Sequence, residues 1–304
     1  FNNMFNLPSP IEKLELSTFG VKQKVYIKRD DLIHPIVSGN KWRKLNFNFR
    51  FYHNNNYSGV ISMGGAFSSH IQSLSFICYQ KNIPCVIFIR GQKPKILNDI
   101  LMQCEINNTK LIFLSKSDYS NNIAIQEICI KNWPNYYFIP EGGSNRYGIE
   151  GCQEIINEID MEYDEIFCEV GTGTTLAGLA SSCDKNKKVR GVVVLKGAEN
   201  ISNQVEKNYI NLFNRPLNNN VQYLHQYHFG GYAKHSMELI NFIRVFYKET
   251  GIKTDPIYSG KLFFALIDQL KKDDDENKTI IALHSGGLSG IPGYENRYKI
   301  KLFS

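Results

Sequence analysis

Four glycine-rich stretches each follow a run of β-branched or aromatic residues: "GGAFSSH" (64–70) after "VISM", "EGGSN" (141–145) after "YYFIP", "GTGTTLAG" (171–178) after "IFCEV", and "HSGG" (284–287) after "IIAL". Strands that run into such junctions and then into helices build parallel sheets, because parallel neighbours need a long crossover, usually helical. Strand patterns at 24–28, 60–63, 85–89, 111–114, 165–170, 189–195 and 279–284 alternate with helical patterns near 69–80, 95–106, 120–132, 148–159, 174–183, 235–249 and 260–271. The expectation is an α/β fold whose parallel or mostly parallel sheets are covered by helices on both faces. Ligands of such sheets collect beyond the carboxyl ends of the strands, so the four loops are expected to line one cleft.

Composition narrows the function classes. The chain has 304 residues, enough for about two domains at ~100–200 residues each. Its 35 basic and 29 acidic residues give a net charge of +6, spread along the chain with no basic arm, so nothing demands nucleic acid as a partner. Seven cysteines, an odd number without C-x-x-C spacing, sit mostly in apolar segments; reduced, buried thiols in a cytoplasmic protein are expected. No run approaches ~18 apolar residues, which points away from a membrane, and the start at Phe1 leaves room for an upstream segment. The histidines at 34, 53, 70, 225, 228, 235 and 284 form no H-E-x-x-H or other recognised ligand spacing, so no metal is expected. "KKDDDENK" (271–278) reads as a solvated turn between the last helix and the last strand, and "NRPLNNN" (214–220) as a loop.

"GTGTTLAG" is the best anion site, since its glycines let amides point inward, its threonines add hydroxyl donors and a helix start adds partial positive charge. By itself a tight strand-to-helix turn explains it equally well. A dinucleotide fingerprint fails, with Leu176 where the third glycine belongs and Lys196 where an acidic residue belongs after the next strand. A nucleotide P-loop fails as well, because Gly260-Lys261 is followed by Leu262. In "SGNKWRK" (38–44), Lys41 taken alone is most simply a surface group, with Asp30 and Asp31 pairing Arg43 or Lys44. Behind Gly39, in a chain with a phosphate-type loop, it becomes a candidate amine for a Schiff base with an aldehyde cofactor.

Six stretches in order, "KRDDL…SGNKWRK", "SMGGAFSSHIQ", "IPEGGSN", "VGTGTTLAGLA", "TDPIYSGK" and "ALHSGG", resemble the pyridoxal-phosphate enzymes grouped as 1-aminocyclopropane-1-carboxylate deaminases and D-cysteine desulfhydrases, from about residue 8 to residue 290. The resemblance implies a two-domain, tryptophan synthase β-like fold: a large cofactor domain of 1–45 and 150–304 and a smaller inserted domain of 46–149. It also implies pyridoxal 5'-phosphate as cofactor, a small amino-acid substrate and a homodimer. Lys41 matches the lysine that holds the cofactor covalently, next to Asn40, and Lys44 matches a lysine near the phosphate. Gly171, Thr172, Gly173, Thr174 and Thr175 match the phosphate loop. Ser68 matches the serine beside the substrate, with Ser69 and His70 following it in the loop whose amides receive the substrate carboxylate. Tyr232 and Tyr258 match two active-site tyrosines, although each alone reads as a half-buried core residue.

The chain departs from its relatives at three places. The deaminases carry glutamate after the second tyrosine and leucine after the late histidine, where this chain has Ser259 and Ser285; hydroxyls there resemble the desulfhydrase branch. A carboxylate opposite the pyridine nitrogen favours its protonated form, and a neutral hydroxyl supports that charge less. Ser69 replaces an asparagine that relatives place beside the cofactor's phenolic oxygen, a contact that serine reaches through water. The expected reaction is α,β-elimination of D-cysteine to pyruvate, sulfide and ammonia. Lys41 serves as base, and a tyrosine, with a free pKa of about 10, serves as acid. The alternatives are deamination of the cyclopropane amino acid to 2-oxobutyrate and ammonia, and a cofactor-binding protein without chemistry.

Overall fold

Residues 4–217 and 220–303 are described by a computed structural model and form two sheets flanked by helices. The larger sheet has the order β1 (Ile11–Lys13), β2 (Lys24–Lys28), β10 (Thr279–Leu283), β7 (Glu165–Val170), β8 (Lys188–Val193), β9 (Asn220–Leu224). All its neighbours are parallel except β1 and β2. The smaller sheet, all parallel, runs β5 (Lys110–Leu114), β4 (Cys85–Arg90), β3 (Gly59–Gly65), β6 (Tyr136–Ile139). Its strands come wholly from residues 59–139, whereas the larger sheet draws on 11–28 and 165–283.

Every residue of β7 is buried, as a strand covered on both faces requires. One face of the large sheet packs Val25, Ile27, Phe167 and Ile280 against Leu262, Phe263 and Leu266 of α10 (Ser259–Lys271). The other sets Ile166, Cys168, Val170 and Ile281 against Leu176 and Leu179 of α7 (Thr174–Ser182) and Ile149 and Ile155 of α6 (Arg146–Asn157). Each such buried aliphatic or aromatic side chain contributes roughly 1.5–3 kcal/mol. Around the small sheet, α2 (Ser69–Gln80) and α3 (Asp99–Ile106) cover one face together with α1 (Asn40–Asn54), whose Trp42, Leu45, Phe49 and Tyr52 form a buried stripe. The opposite face packs against α5 (Asn122–Asn132) and Tyr119 of α4 (Lys116–Ser120).

Most predicted elements are present, with informative differences. Helix α3 starts at Asp99 because the Asn98 side chain accepts the Leu101 N–H. The pattern at 120–132 divides at Asn121, which caps α5 by accepting from Ala124 N–H. The patterns missed α1, α8 (Ile201–Phe213), α11 (Ile291–Tyr298), β1, β9 and all but the last residue of α4. Asn220, expected in a loop, begins β9; residues 218 and 219 of that loop lie outside the described residues. The acidic turn at 271–278 does join α10 to β10, but α11 follows, so α10 is not the last helix; the helix predicted at 235–249 is α9 (Met237–Thr250). All seven cysteines are free thiols, buried except for the partly exposed Cys129.

Candidate active site

The start of α1 is wedged between the ends of two adjacent strands of the large sheet. Gly39 caps the helix at φ +61°, and a Cβ there would lie 1.7 Å from the Ser285 carbonyl oxygen, so only glycine fits. Its N–H donates to Asp30 O (2.8 Å), and the Asn40 N–H donates to Ser285 O (3.2 Å). Asn40 then links two expected site groups: its Nδ2 donates to Thr175 Oγ1 (3.2 Å), and its Oδ1 accepts from Lys41 Nζ (2.5 Å). Burial, reinforced by the charge of Lys44, lowers the Lys41 amine to about 8 against partial opposition from Glu169, Cys152 and Asp255. Lys44 is buried and lowered too, mainly by desolvation.

The loop from β7 to α7 supplies the anion-binding geometry. Gly173 sits at φ +83° against Val205, and the nine-residue helix that follows points its first-turn amides back toward the loop. Thr172 and Thr174 hydroxyls lie 3.0 Å apart, and Thr174 Oγ1 donates to Ser144 Oγ (2.8 Å), which joins this loop to the one after β6. A cavity of about 310 Å³ opens beside them, lined by Ser144, Asn145, Thr172, Gly173, Thr174 and Asn208. Gly171 lies against the Tyr258 ring, with an added Cβ 3.6 Å from Cε1.

Ser68 is the N-cap of α2, its hydroxyl accepting the His70 N–H at 3.2 Å, so the amides of Ser69 and Ile71 are the first-turn donors it leaves free. His70 is buried, and its tautomer follows from its partner. Ser62 gives its hydroxyl hydrogen to Ile139 O (2.7 Å) and so accepts from His70 Nε2 (2.9 Å), which leaves Nδ1 a bare acceptor without a partner among the described residues. Burial, with Lys41 and Lys44 nearby, lowers this histidine to about 3, so it is neutral.

Tyr232 and Tyr258 meet edge to face with centroids 6.1 Å apart; burial raises the Tyr258 phenol, and Tyr232, 47% exposed as a whole residue, is raised by partial desolvation of its ring end. The segment leading to Tyr232 is strained: Phe229 and Ala233 are left-handed without being glycine, and Gly230 and Gly231 also have positive φ. Lys261, fully buried in α10, pins it by donating to the His228 and Gly231 carbonyls, both at 2.8 Å.

Ser259 and Ser285 each back onto a buried carboxylate. The Ser259 hydroxyl donates to Asp255 Oδ2 (2.7 Å) and accepts the Asp255 N–H (2.8 Å), while Asp255 also receives the N–H groups of Ile257, Tyr258 and Ser259. Asp255 thereby receives the amides that lead into α10, and Ser259 is engaged in holding its carboxylate. Ser285 Oγ donates to Glu169 Oε1, and Glu169 Oε2 has no hydrogen-bond partner among the described residues. Burial raises the Glu169 carboxyl, with the Ser285 hydrogen bond and the charge of Lys41 acting the other way.

The structure thus gathers Lys41, Asn40, Lys44, His70, the 171–175 loop and Tyr258 at one set of strand ends, with Tyr232 against Tyr258. The sequence patterns missed Glu169, Asp255 and Lys261. Glu169 carried a legible signal, an acidic residue inside the apolar run "IFCEV" directly before a glycine loop.

These residues fit pyridoxal phosphate: a buried amine of depressed pKa, a helix start and Lys44 suited to a phosphate, and two unpartnered buried acceptors. The fold defines the class, a tryptophan synthase β-like α/β enzyme, and a solved structure described as an "ACC deaminase homologue" superposes with a TM-score of 0.80 at 25% identity, covering 97% of this chain and 94% of that one. Residues 3–286 match the family of pyridoxal-phosphate-dependent enzymes, and the chain belongs to it. Among curated relatives, a bifunctional D-cysteine desulfhydrase/1-aminocyclopropane-1-carboxylate deaminase of Arabidopsis thaliana, described as mitochondrial, is 27% identical over 95% of this chain and 78% of its own length. A putative 1-aminocyclopropane-1-carboxylate deaminase of Thermotoga maritima is also 27% identical, over 93% of this chain and 95% of that protein. Among the described residues no helix is long and apolar enough to cross a membrane.

Proposed function

We propose that this enzyme breaks down a small amino acid by α,β-elimination, with D-cysteine converted to pyruvate, sulfide and ammonia. The carrying observation is Lys41: burial lowers its pKa to about 8, so a far larger fraction is neutral near physiological pH than for an ordinary lysine, as suits a base that takes an α-proton. Bound pyridoxal phosphate supplies the electron sink for the charge left on the α-carbon. In this reading Lys41 would hold the cofactor and, as a free amine, would take the α-proton. The 171–175 loop and Lys44 hold the phosphate. Ser68, Ser69 and the free amides of the α2 first turn receive the substrate carboxylate, and His70 Nδ1 offers the same corner an acceptor. Tyr258 and Tyr232, raised above the ordinary phenol range, stay protonated, so either can give a proton to the departing sulfur and neither serves as base. The cleft belongs to two units, 1–45 with 150–304 and 46–149, whose boundaries fall within α1 and α6; assembly as a homodimer in the cytoplasm completes the proposal.

A second reading has a specific observation in its favour. Ser259 and Ser285 set the chain apart from deaminases as neutral hydroxyls, yet both are backed by carboxylates, which supports 1-aminocyclopropane-1-carboxylate as substrate more than the bare hydroxyls do. Incubating the cofactor-loaded enzyme with equal D-cysteine and 1-aminocyclopropane-1-carboxylate, and weighing the keto acid by mass spectrometry, separates the two. Pyruvate is expected; predominant 2-oxobutyrate would replace the first reading with the second.

A further inference from the structure

We propose that Glu169 is a positioning residue that makes the Ser285 hydroxyl a hydrogen-bond acceptor for the protonated ring nitrogen of pyridoxal phosphate. This deepens the proposed function and rests on it. A serine has one hydrogen to give, and Ser285 gives it to Glu169 Oε1, so only lone pairs remain for anything else that meets this hydroxyl. Both side chains are buried, at 4% and 6% exposure, and solvent does not scramble that assignment. Glu169 Oε2 is a second acceptor, also buried and unpartnered among the described residues. An unpaired buried carboxylate oxygen is costly, and it marks a place where a donor belongs.

The chemistry of the cofactor selects the donor. Its phosphate and phenolic oxygen carry negative charge, which a carboxylate repels; its methyl group donates nothing; its aldehyde carbon is the point of attachment to a lysine. Of the ring's own atoms, only the nitrogen offers an N–H, and only when protonated. The placement agrees. Glu169 is the penultimate residue of β7, just before the phosphate-type loop, Ser285 follows β10 beside it, and the Ser285 carbonyl abuts Gly39, two residues from Lys41. The charged and titratable groups around Glu169 are Lys41, Lys44, Asp255, Tyr258 and Cys168. Lys41 is the rival partner, but it can be an ammonium only while it is free. Once its nitrogen is committed to the cofactor, a protonated ring nitrogen is the counter-charge that best suits the carboxylate. The hydroxyl at 285 is then not a weak support for the ring but the front of a hydroxyl–carboxylate pair.

The test reads the ring nitrogen and not turnover. Wild type and Glu169→Gln are loaded with pyridoxal phosphate isotopically labelled at the ring nitrogen, and its NMR shift is followed against pH. Wild type should be protonated through neutral pH. Glu169→Gln should lower the ring titration by about one to three units, the effect of removing one close opposite charge. Glu169→Asp should restore part of the shift, a rescue that a merely structural role does not predict. If Glu169→Gln fails to fold, Ser285→Ala reports on the same contact and should shift the titration in the same direction. Identical titrations in wild type and variant, or an unprotonated ring in wild type, would overturn the proposal. A wild type that binds no cofactor would instead remove the proposed function beneath it.

Discussion

Lys41 and Arg43 stand two residues apart on the first turn of α1 and meet opposite treatment. Arg43, 3% exposed, bonds Asp30 through Nε (3.0 Å) and Nη2 (2.8 Å) and Glu158 through Nη1 (2.5 Å) and Nη2 (2.7 Å). Lys28 adds a second cation on Glu158 at 2.7 Å, and the Ser9 hydroxyl donates to Asp30 at 2.6 Å. Burial pulls the guanidinium down, but Asp30 and Glu158 outweigh it and raise it. Lys41 has no carboxylate within ion-pair distance among the described residues, and burial prevails. Local composition does not distinguish the two. The difference lies in what the turn after β2 and the end of α6 place opposite one and withhold from the other, so the paired cation anchors the helix while the unpaired one keeps a reactive amine.

The sharpest way to break this contrast is Arg43→Met, which leaves the buried Asp30 without its cation and Glu158 with Lys28 alone, and should cost about 3–5 kcal/mol in denaturant unfolding. A loss below about 1 kcal/mol would mean that the network is not what anchors α1. The acid limb comes next. Arg43 and Lys28 overcome the burial of Glu158 and lower it to about 2 from 4.5, so its stabilisation is fully present above the unfolded pKa and is lost as pH falls from there towards about 2. Stability of wild type should therefore drop through that window, and Arg43→Met should flatten the drop. The smallest effect belongs to Lys41→Ala in the cofactor-free protein, whose stability should stay within about 1 kcal/mol of wild type or rise. The unfolded chain keeps the Lys41 proton to near 10.5 and the folded protein only to about 8, so the unfolded state binds more protons between them and wild type gains stability as pH rises through that window. Lys41→Ala should lack this gain. It should also lose the borohydride-reducible link to pyridoxal phosphate, and a link that survives would sink the assignment of the lysine.

The central strands were legible because they are buried on both faces and read as unbroken apolar runs, and the glycine junctions marked where the chain turns into the cleft. Helix α1 escaped notice although Trp42, Leu45, Phe49 and Tyr52 repeat at helical spacing, because asparagines, aromatics and cations mask the stripe. Strand β9, partly exposed at an edge, lacks the apolar run of a central strand. Within the site, residue types announced the lysine and the loop, but the partners did not show. That Ser259 holds the Asp255 carboxylate while Ser285 leans on Glu169 depends on side chains up to 116 residues apart in sequence, and no local pattern encodes it.

The position of β10 has a consequence for biosynthesis. This strand lies between β2 and β7, and β2 has no other parallel neighbour, so the β1–β2 pair at the start of the chain has no place in the sheet until Thr279–Leu283 has been made. The loop after β10 also closes the wedge around Gly39. A nascent chain therefore exposes an amine without its tuned surroundings until β10 has been made. The order of emergence places cofactor capture after the synthesis of β10 and the loop that follows it.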